Sequence, residues 1–146
     1  MGFAFGGEFR VRKTPEEVFD FLTDPQRFAP LLPDFEGLTM NDPKNFVVQV
    51  KVGVSHIRGT ASVKLTLAEA QRPRRALYRG KGSMAGGSVE LTAGFDLAED
   101  AGSTRVRWSG EAQVFGPLIS LAGGLLEPLA KKNIQKLIDS LRMALT

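Results

Sequence analysis

Apolar and polar residues alternate along most of this chain, and the rhythm turns helical in two places. Phe3, Phe5, Phe9 and Val11 alternate with Glu8, Arg10 and Arg12. That spacing predicts a first strand with one buried face and an irregularity at Gly6-Gly7. Thr14-Pro15-Glu16-Glu17 then supplies a helix start: Thr14 can cap, Pro15 suits the first helical position, and Glu17 completes a capping box ahead of Val18, Phe19 and Leu22. Asp24-Pro25 closes that helix and opens a second short one through Phe28, Leu31 and Leu32, limited by Pro30 and Pro33.

From Gly37 the period returns to two, with a short strand near Leu38 to Met40. Phe46, Val48, Val50, Val52 and Val54 share one face opposite Gln49 and Lys51. After Ser55-His56, the residues Ile57, Ala61, Val63, Leu65 and Leu67 share the next inward face, which predicts a hairpin. Arg72-Pro73-Arg74-Arg75 reads as a turn. Ala76, Tyr78, Gly80 and Gly82 fall on one face of the following strand, Val89, Leu91, Ala93, Phe95 and Leu97 on another, and Val106, Trp108, Ala112 and Val114 on the last. One apolar and one polar face per strand is the signature of an antiparallel sheet covered on one side.

The cover is the last long segment, Pro117 to Thr146. Leu118, Leu121, Ala122, Leu125 and Leu129 form one helical stripe, and Ile134, Leu137, Ile138, Leu141 and Leu145 form a second, offset by roughly a third of a turn. Gly123, Gly124 and Pro128 lie between them, which predicts one kinked helix or two joined ones. The first half is apolar nearly all round, whereas the second carries Lys131, Lys132, Lys136 and Arg142 on its outer arc. Together these elements predict an α+β fold. A curved antiparallel sheet of six or seven strands wraps a long C-terminal helix, with two short helices after strand one. Residues 1–146 are expected to form one domain, without repeat or linker.

Composition narrows the chemistry. A hydrophobic content of 42% with 24% charged residues is that of an ordinary soluble protein, and 146 residues bury a sizeable core without a staple. There is no cysteine, so disulfides, thiolate metal sites and cysteine nucleophiles are excluded, and a reducing cytoplasm fits. The N-terminal stretch Met1 to Arg12 carries charges and lacks the apolar core of a signal peptide. No apolar run reaches the length of about eighteen residues that a membrane span needs, and Phe115 to Leu126 leaves an interfacial contact open. The excess of 19 Lys and Arg over 16 Asp and Glu weakly favours anionic partners.

His56 is the lone histidine and reads as a turn residue, with no second ligand or triad partner for it. Glu16, Glu17 and Asp24 are accounted for by helix starts, and Glu90, Asp96 and Glu111 fall on outward faces, so no acid-base pair faces the interior. Gly80-Lys81-Gly82 and Gly86-Gly87 are not followed by a helix, so they read as strand bends or turns and not as a phosphate cradle. Arg72, Arg74, Arg75, Arg79 and Lys81 form a basic run, either a solvated turn or a surface for anionic headgroups or an acidic partner. Aromatic residues are not interleaved with it, and no nucleic-acid partner is expected.

The order of motifs resembles the CoxG family of carbon monoxide dehydrogenase subunits, within the helix-grip superfamily related to START lipid carriers and birch pollen allergens. The resemblance rests on Phe9-Arg10-Val11, Pro15-Glu16-Glu17-Val18-Phe19, Leu22-Thr23-Asp24-Pro25 and Leu32-Pro33, then Lys51-Val52-Gly53 and Gly59-Thr60. It continues through Gly80-Lys81-Gly82, Gly86-Gly87, Gly102-Ser103-Thr104-Arg105 and Leu129-Ala130-Lys131-Lys132. Asp34-Phe35 departs from it, since the family often has a small residue and cysteine there. The chain also ends at Thr146, without the membrane segment that dehydrogenase-anchoring members carry, so stable anchoring is not expected.

The resemblance implies a hydrophobic cavity between sheet and helix, and a role in assembling, anchoring or supplying quinone to a molybdenum-containing dehydrogenase. The inward faces and helix stripes propose its lining: Phe28, Leu32, Phe46, Val50, Val63, Leu65, Tyr78, Met84, Leu91, Phe95, Trp108, Leu118, Leu121 and Leu125. Periodicity alone is equally compatible with a filled core. The small residues Gly80, Gly82, Gly87 and Ala93 favour a hollow, and Tyr78 reads as a core tyrosine with a backbone partner. The expected function is that of a non-enzymatic accessory protein holding a quinone or other lipid-like molecule. It has no intrinsic cofactor and no metal, it lies in the cytoplasm or peripherally at the inner membrane face, and molybdenum hydroxylase subunits are its partners. An interaction or membrane-recruitment module without ligand, and a cyclase or hydratase on the same scaffold, are the alternatives.

Overall fold

The alternating segments become seven strands: β1 (Gly2–Val11), β2 (Phe35–Asp42), β3 (Asn45–Val54), β4 (Ile57–Gln71), β5 (Arg75–Met84), β6 (Gly87–Asp100) and β7 (Ser103–Phe115). The structure, a computed structural model, describes residues 1–54, 57–84, 87–117 and 123–146. The sheet runs β1-β7-β6-β5-β4-β3-β2, every neighbouring pair antiparallel, and it is open, with β1 and β2 at its edges. From β2 to β7 each strand pairs with the next in sequence, as a meander does, while β1 docks on the last strand. The β6–β7 turn places Ala101 (φ 52°) and Gly102 (φ 84°) in left-handed backbone. A two-residue hairpin turn needs that conformation to match strand twist.

β1 is regular. It keeps register with β7 from Gly2–Gln113 to Val11–Thr104, so the irregularity expected at Gly6-Gly7 is absent. Gly7 has a different reason to be there. It pairs with Trp108, and a Cβ at Gly7 would stand 3.1 Å from Trp108 Cζ2, so the glycine gives the indole its place across the strand.

The helix starts form as the residue types dictate. α1 (Pro15–Leu22) is capped by Thr14, whose Oγ1 accepts from the Glu17 N–H at 3.2 Å. α2 (Pro25–Phe28) is capped by Asp24, whose carboxylate accepts from the Gln26 N–H at 3.1 Å. A 3-10 turn, Ala29–Leu31, follows. At the entry to β2, Asp34 takes left-handed backbone (φ 58°), which aspartate tolerates better than most residues, and its carbonyl accepts from the Lys51 N–H at 2.9 Å.

The C-terminal helix, α3, spans Leu126–Ala144 after a 3-10 turn at Gly123–Leu125. Within the described residues it has no kink at Pro128. That residue stands at the third helical position, where a backbone N–H has no intrahelical acceptor and a proline removes nothing. Gly123 and Gly124 precede the helix. The second apolar stripe faces the core as its spacing requires, with Ile138, Leu141 and Leu145 buried and Ile134 and Leu137 partly so. Leu118, Leu121 and Ala122 of the first stripe lie outside the described residues, as do Ser55 and His56.

Two apolar clusters fill the concave side. One joins Phe9, Val11, Phe19, Phe95, Leu97 and Val106 to Ile138, Leu141 and Leu145 of α3, with Phe19 edge-on to Phe95 at 6.0 Å. The other joins Ala29, Phe46, Val48 and Tyr78, with Phe28, Leu32 and Leu65 packed against them. The rings of Phe28, Phe46 and Tyr78 meet pairwise at centroid distances of 5.7 to 6.0 Å.

Candidate functional site

Packing against α1 and α2 closes one end of the concave face, and among the described residues nothing closes the other. There, beneath the first turns of α3, lies a groove of about 340 Å³. Its floor is built from Phe3 and Phe5 of β1, Val50 and Val52 of β3, Ala61 and Val63 of β4, Gly82 of β5, Gly87 and Val89 of β6, and Ala112 and Val114 of β7. Leu126, Leu129, Ala130 and Asn133 form the helical wall. Residues from β1 and from β3 reach the same groove, so the sheet curves around the helix. Ser83 and Ser88 also border it, but both sit on exposed positions of the alternation, opposite Gly82 and Val89.

This lining draws on the expected residues selectively. Val50 and Val63 line the groove, and Leu125 stands exposed beside it. Phe28, Leu32, Phe46, Leu65 and Tyr78 instead pack together as core, and Phe95 and Trp108 belong to the other cluster. Met84 ends β5, and Leu118 and Leu121 fall outside the described residues. The glycines of β5 do not leave a hollow. A Cβ on Gly80 would meet Leu65 Cδ2 at 2.7 Å and Leu91 Cδ1 at 3.1 Å, and one on Gly82 would meet Val89 Cγ1 at 2.8 Å. Larger neighbours fold over both positions and fill the space. Gly87 does border the groove, while Ala93 is exposed.

The residues that sequence reasoning passed over, Phe3, Phe5, Val52, Ala112 and Val114, all carry the inward alternation. What singles them out is their place at the strand ends far from α1, and strand pairing alone supplies it. Phe3 and Phe5 stack with ring centroids 6.4 Å apart along the edge strand. Asn133 carried its own signal, an interruption of the apolar spacing between Leu129 and Ile134.

Electrostatically the groove is bare. Among the described residues that line it none is ionisable, and no group of three His, Asp or Glu side chains is placed to hold a metal ion. The Tyr78 hydroxyl is not aimed at the groove. It donates to the Leu22 carbonyl at 2.8 Å, and burial, with the charge of Asp24 second, pushes its pKa above the ordinary 10.0. The basic run is dispersed. Arg72 pairs with Asp20 at 2.8 Å and Arg75 with Asp96 at 3.7 Å, while Arg79 and Lys81 share a shallow depression on the outer face with Glu90 and Glu111.

The family model for CoxG, a carbon monoxide dehydrogenase subunit, matches residues 7–146, nearly the whole chain. The chain belongs to the CoxG family. The match runs from the middle of β1 through α3 and takes in all of the described groove lining except Phe3 and Phe5. No curated protein matches the sequence.

Among solved structures, a conserved protein from Geobacillus kaustophilus superposes with a TM-score of 0.85 at 17% identity, covering 99% of this chain and 95% of that one. A START superfamily protein from Mycobacterium smegmatis gives 0.71 at 11% identity, over 97% and 96%. The Zhui aromatase/cyclase from a Streptomyces species gives 0.70 at 16% identity, over 99% and 93%. At these identities the likeness establishes the START-like fold, and the CoxG domain shares its scaffold with proteins of different activities.

Proposed function

We propose that the groove binds an uncharged, lipid-like molecule, and that the protein is a non-enzymatic accessory protein of a molybdenum-containing carbon monoxide dehydrogenase or related hydroxylase. A quinone is the occupant that best joins the family to the site. The observation that carries this reading is the groove itself, walled by aliphatic and aromatic side chains from five strands and α3, with no ionisable group among its described lining residues. Burial of the ligand's apolar surface, roughly 25 cal/mol per Å², drives binding. Catalysis of the cyclase or hydratase kind needs polar groups converging on a substrate, and the described lining offers one carboxamide and two outward serines. The protein works in the cytoplasm, at or near the inner face of the membrane.

A membrane contact is favoured by a specific feature. Met1, Phe115 and Leu125 are large apolar residues left exposed. The Met1 amino group donates to the Val114 carbonyl at 3.1 Å, next to Phe115, and Met1 shares a surface hollow with Gly124 and Lys131, next to Leu125. They therefore flank the open end of the groove, where a lipid would enter. No helix among the described residues is long and apolar enough to cross a membrane, so this contact would be interfacial.

Solvent extraction of the purified protein followed by mass spectrometry tests the primary reading, with an apolar compound of defined mass as the expected result. Ala130→Trp places an indole in the groove and should abolish co-purification while the fold persists by circular dichroism. An extract free of apolar compounds, together with no uptake of a neutral apolar dye, overturns the proposal.

A further inference from the structure

Asn133 interrupts an apolar helical face at the point where that face meets the groove. It follows Leu126 by seven residues, Leu129 by four and Ala130 by three, so all four share one side of α3, and all four line the groove. Asparagine is a weaker helix former than leucine or alanine, and a half-buried amide on an apolar wall does nothing for packing. Of the other polar residues of α3 only Ser140 is half-buried, two turns beyond the groove lining, and the rest stay exposed, as where Gln135 donates to Asp139 at 2.9 Å. A carboxamide among the apolar residues that line the groove calls for a reason in what the groove holds.

We propose that Asn133 is the polar anchor of the groove, and that the occupant is an uncharged apolar molecule bearing a carbonyl or hydroxyl oxygen at the end that enters. Asn133 Nδ2 donates to a carbonyl oxygen, and Oδ1 accepts from a hydroxyl. A carboxylate or phosphate is disfavoured at this depth, because no described lining residue offers a counter-charge to offset its desolvation. At about 340 Å³ the groove lies at the small end of ligand sites, so it takes a head group and its first carbons while a long chain runs out past the open end.

This inference rests on the groove being a ligand site, and the test separates the two. Displacement of the neutral dye N-phenyl-naphthylamine is measured with a matched pair of probes, methyl nonyl ketone and n-undecane, on the full chain. Relative to wild type, Asn133→Leu should lower the ratio of ketone to alkane affinity about three- to tenfold, the worth of one hydrogen bond, with alkane affinity unchanged or raised. Asn133→Gln, which keeps the amide, should retain part of the preference, and Asn133→Ala reads the same ratio should the leucine variant fail to fold. An unchanged ratio while both probes still bind overturns the anchor alone. Failure of both probes to displace dye from the wild-type protein overturns the anchor and the ligand site together.

Discussion

The Tyr78 hydroxyl donates to the Leu22 carbonyl oxygen at 2.8 Å, and this buried bond fastens the end of α1 to the middle of the sheet. The last carbonyls of a helix have no intrahelical donors. Here the Thr23 N–H and hydroxyl take Phe19, the Asp24 N–H takes Phe21, and Tyr78 takes Leu22 from 56 positions away. Tyr78→Phe leaves that carbonyl unpaired in the core and should cost about 1–3 kcal/mol in urea denaturation. The pH dependence has a defined sign. Folding raises the phenol pKa above 10.0, so the neutral form is favoured, and its contribution is complete below about pH 10 and declines as pH rises further. The stability gap between wild type and Tyr78→Phe should therefore narrow above pH 10, and a constant gap would contradict this role.

Thr104 fastens the other end of the same connection. It is fully buried opposite Val11, and its hydroxyl donates to the Lys13 carbonyl at 2.6 Å, where the chain leaves β1 for α1. Thr104→Val preserves shape and removes the donor, at an expected cost of about 1–3 kcal/mol. Thr104→Ser keeps the donor and loses one methyl, about 0.8 kcal/mol. Serine should therefore be the milder change in thermal unfolding, and the reverse order would show that packing, not the bond, holds Thr104 in place.

These two bonds mark where the sequence is legible and where it is not. Period-two spacing revealed the strands, and the Thr14 and Asp24 caps revealed α1 and α2, because both signals are local. The burial of Ile138, Leu141 and Leu145 was legible for the same reason. Which inward residues pack and which stay open was not, since Phe46 and Val52 share one face of β3 and differ only in what stands opposite. Phe46 meets Phe28 and Tyr78, brought by α2 and β5, whereas Val52 faces the first turns of α3 across the groove. Gly80 misled in the same way. A glycine on a concave face suggests missing volume, but Leu65 and Leu91 from adjacent strands close over it.

Asp20 and Arg72 join α1 to the β4–β5 turn by two bonds, at 2.8 and 2.9 Å. The guanidinium holds the Asp20 carboxyl below its ordinary 3.8, and both side chains are about half exposed. A depressed carboxyl pKa stabilises the fold above the ordinary value and loses that contribution as pH falls through the folded one. Arg72→Ala should move the Asp20 titration, followed by NMR, upward toward 3.8, and added salt should shrink the difference between wild type and variant. A titration unmoved by the substitution would mean that the pair does not persist in solution.

The separation of core from groove makes the sharpest demand. Phe46 is fully buried and held between two other rings, so Phe46→Ala leaves a cavity that the stiff sheet cannot collapse, at an expected cost of about 3–5 kcal/mol. Val52 lies on the same strand face but is half-buried at the groove, so the added hydroxyl of Val52→Thr, the same in shape, can reach water and should cost no more than about 1 kcal/mol. The hydroxyl nevertheless faces any apolar occupant, and dye affinity should fall several-fold in Val52→Thr. If the groove were merely unfilled core, affinity would not respond to Val52, and its substitution would register only in the melting curve. A several-fold fall in dye affinity with only a small change in stability is therefore the result that distinguishes a binding surface from a packing defect.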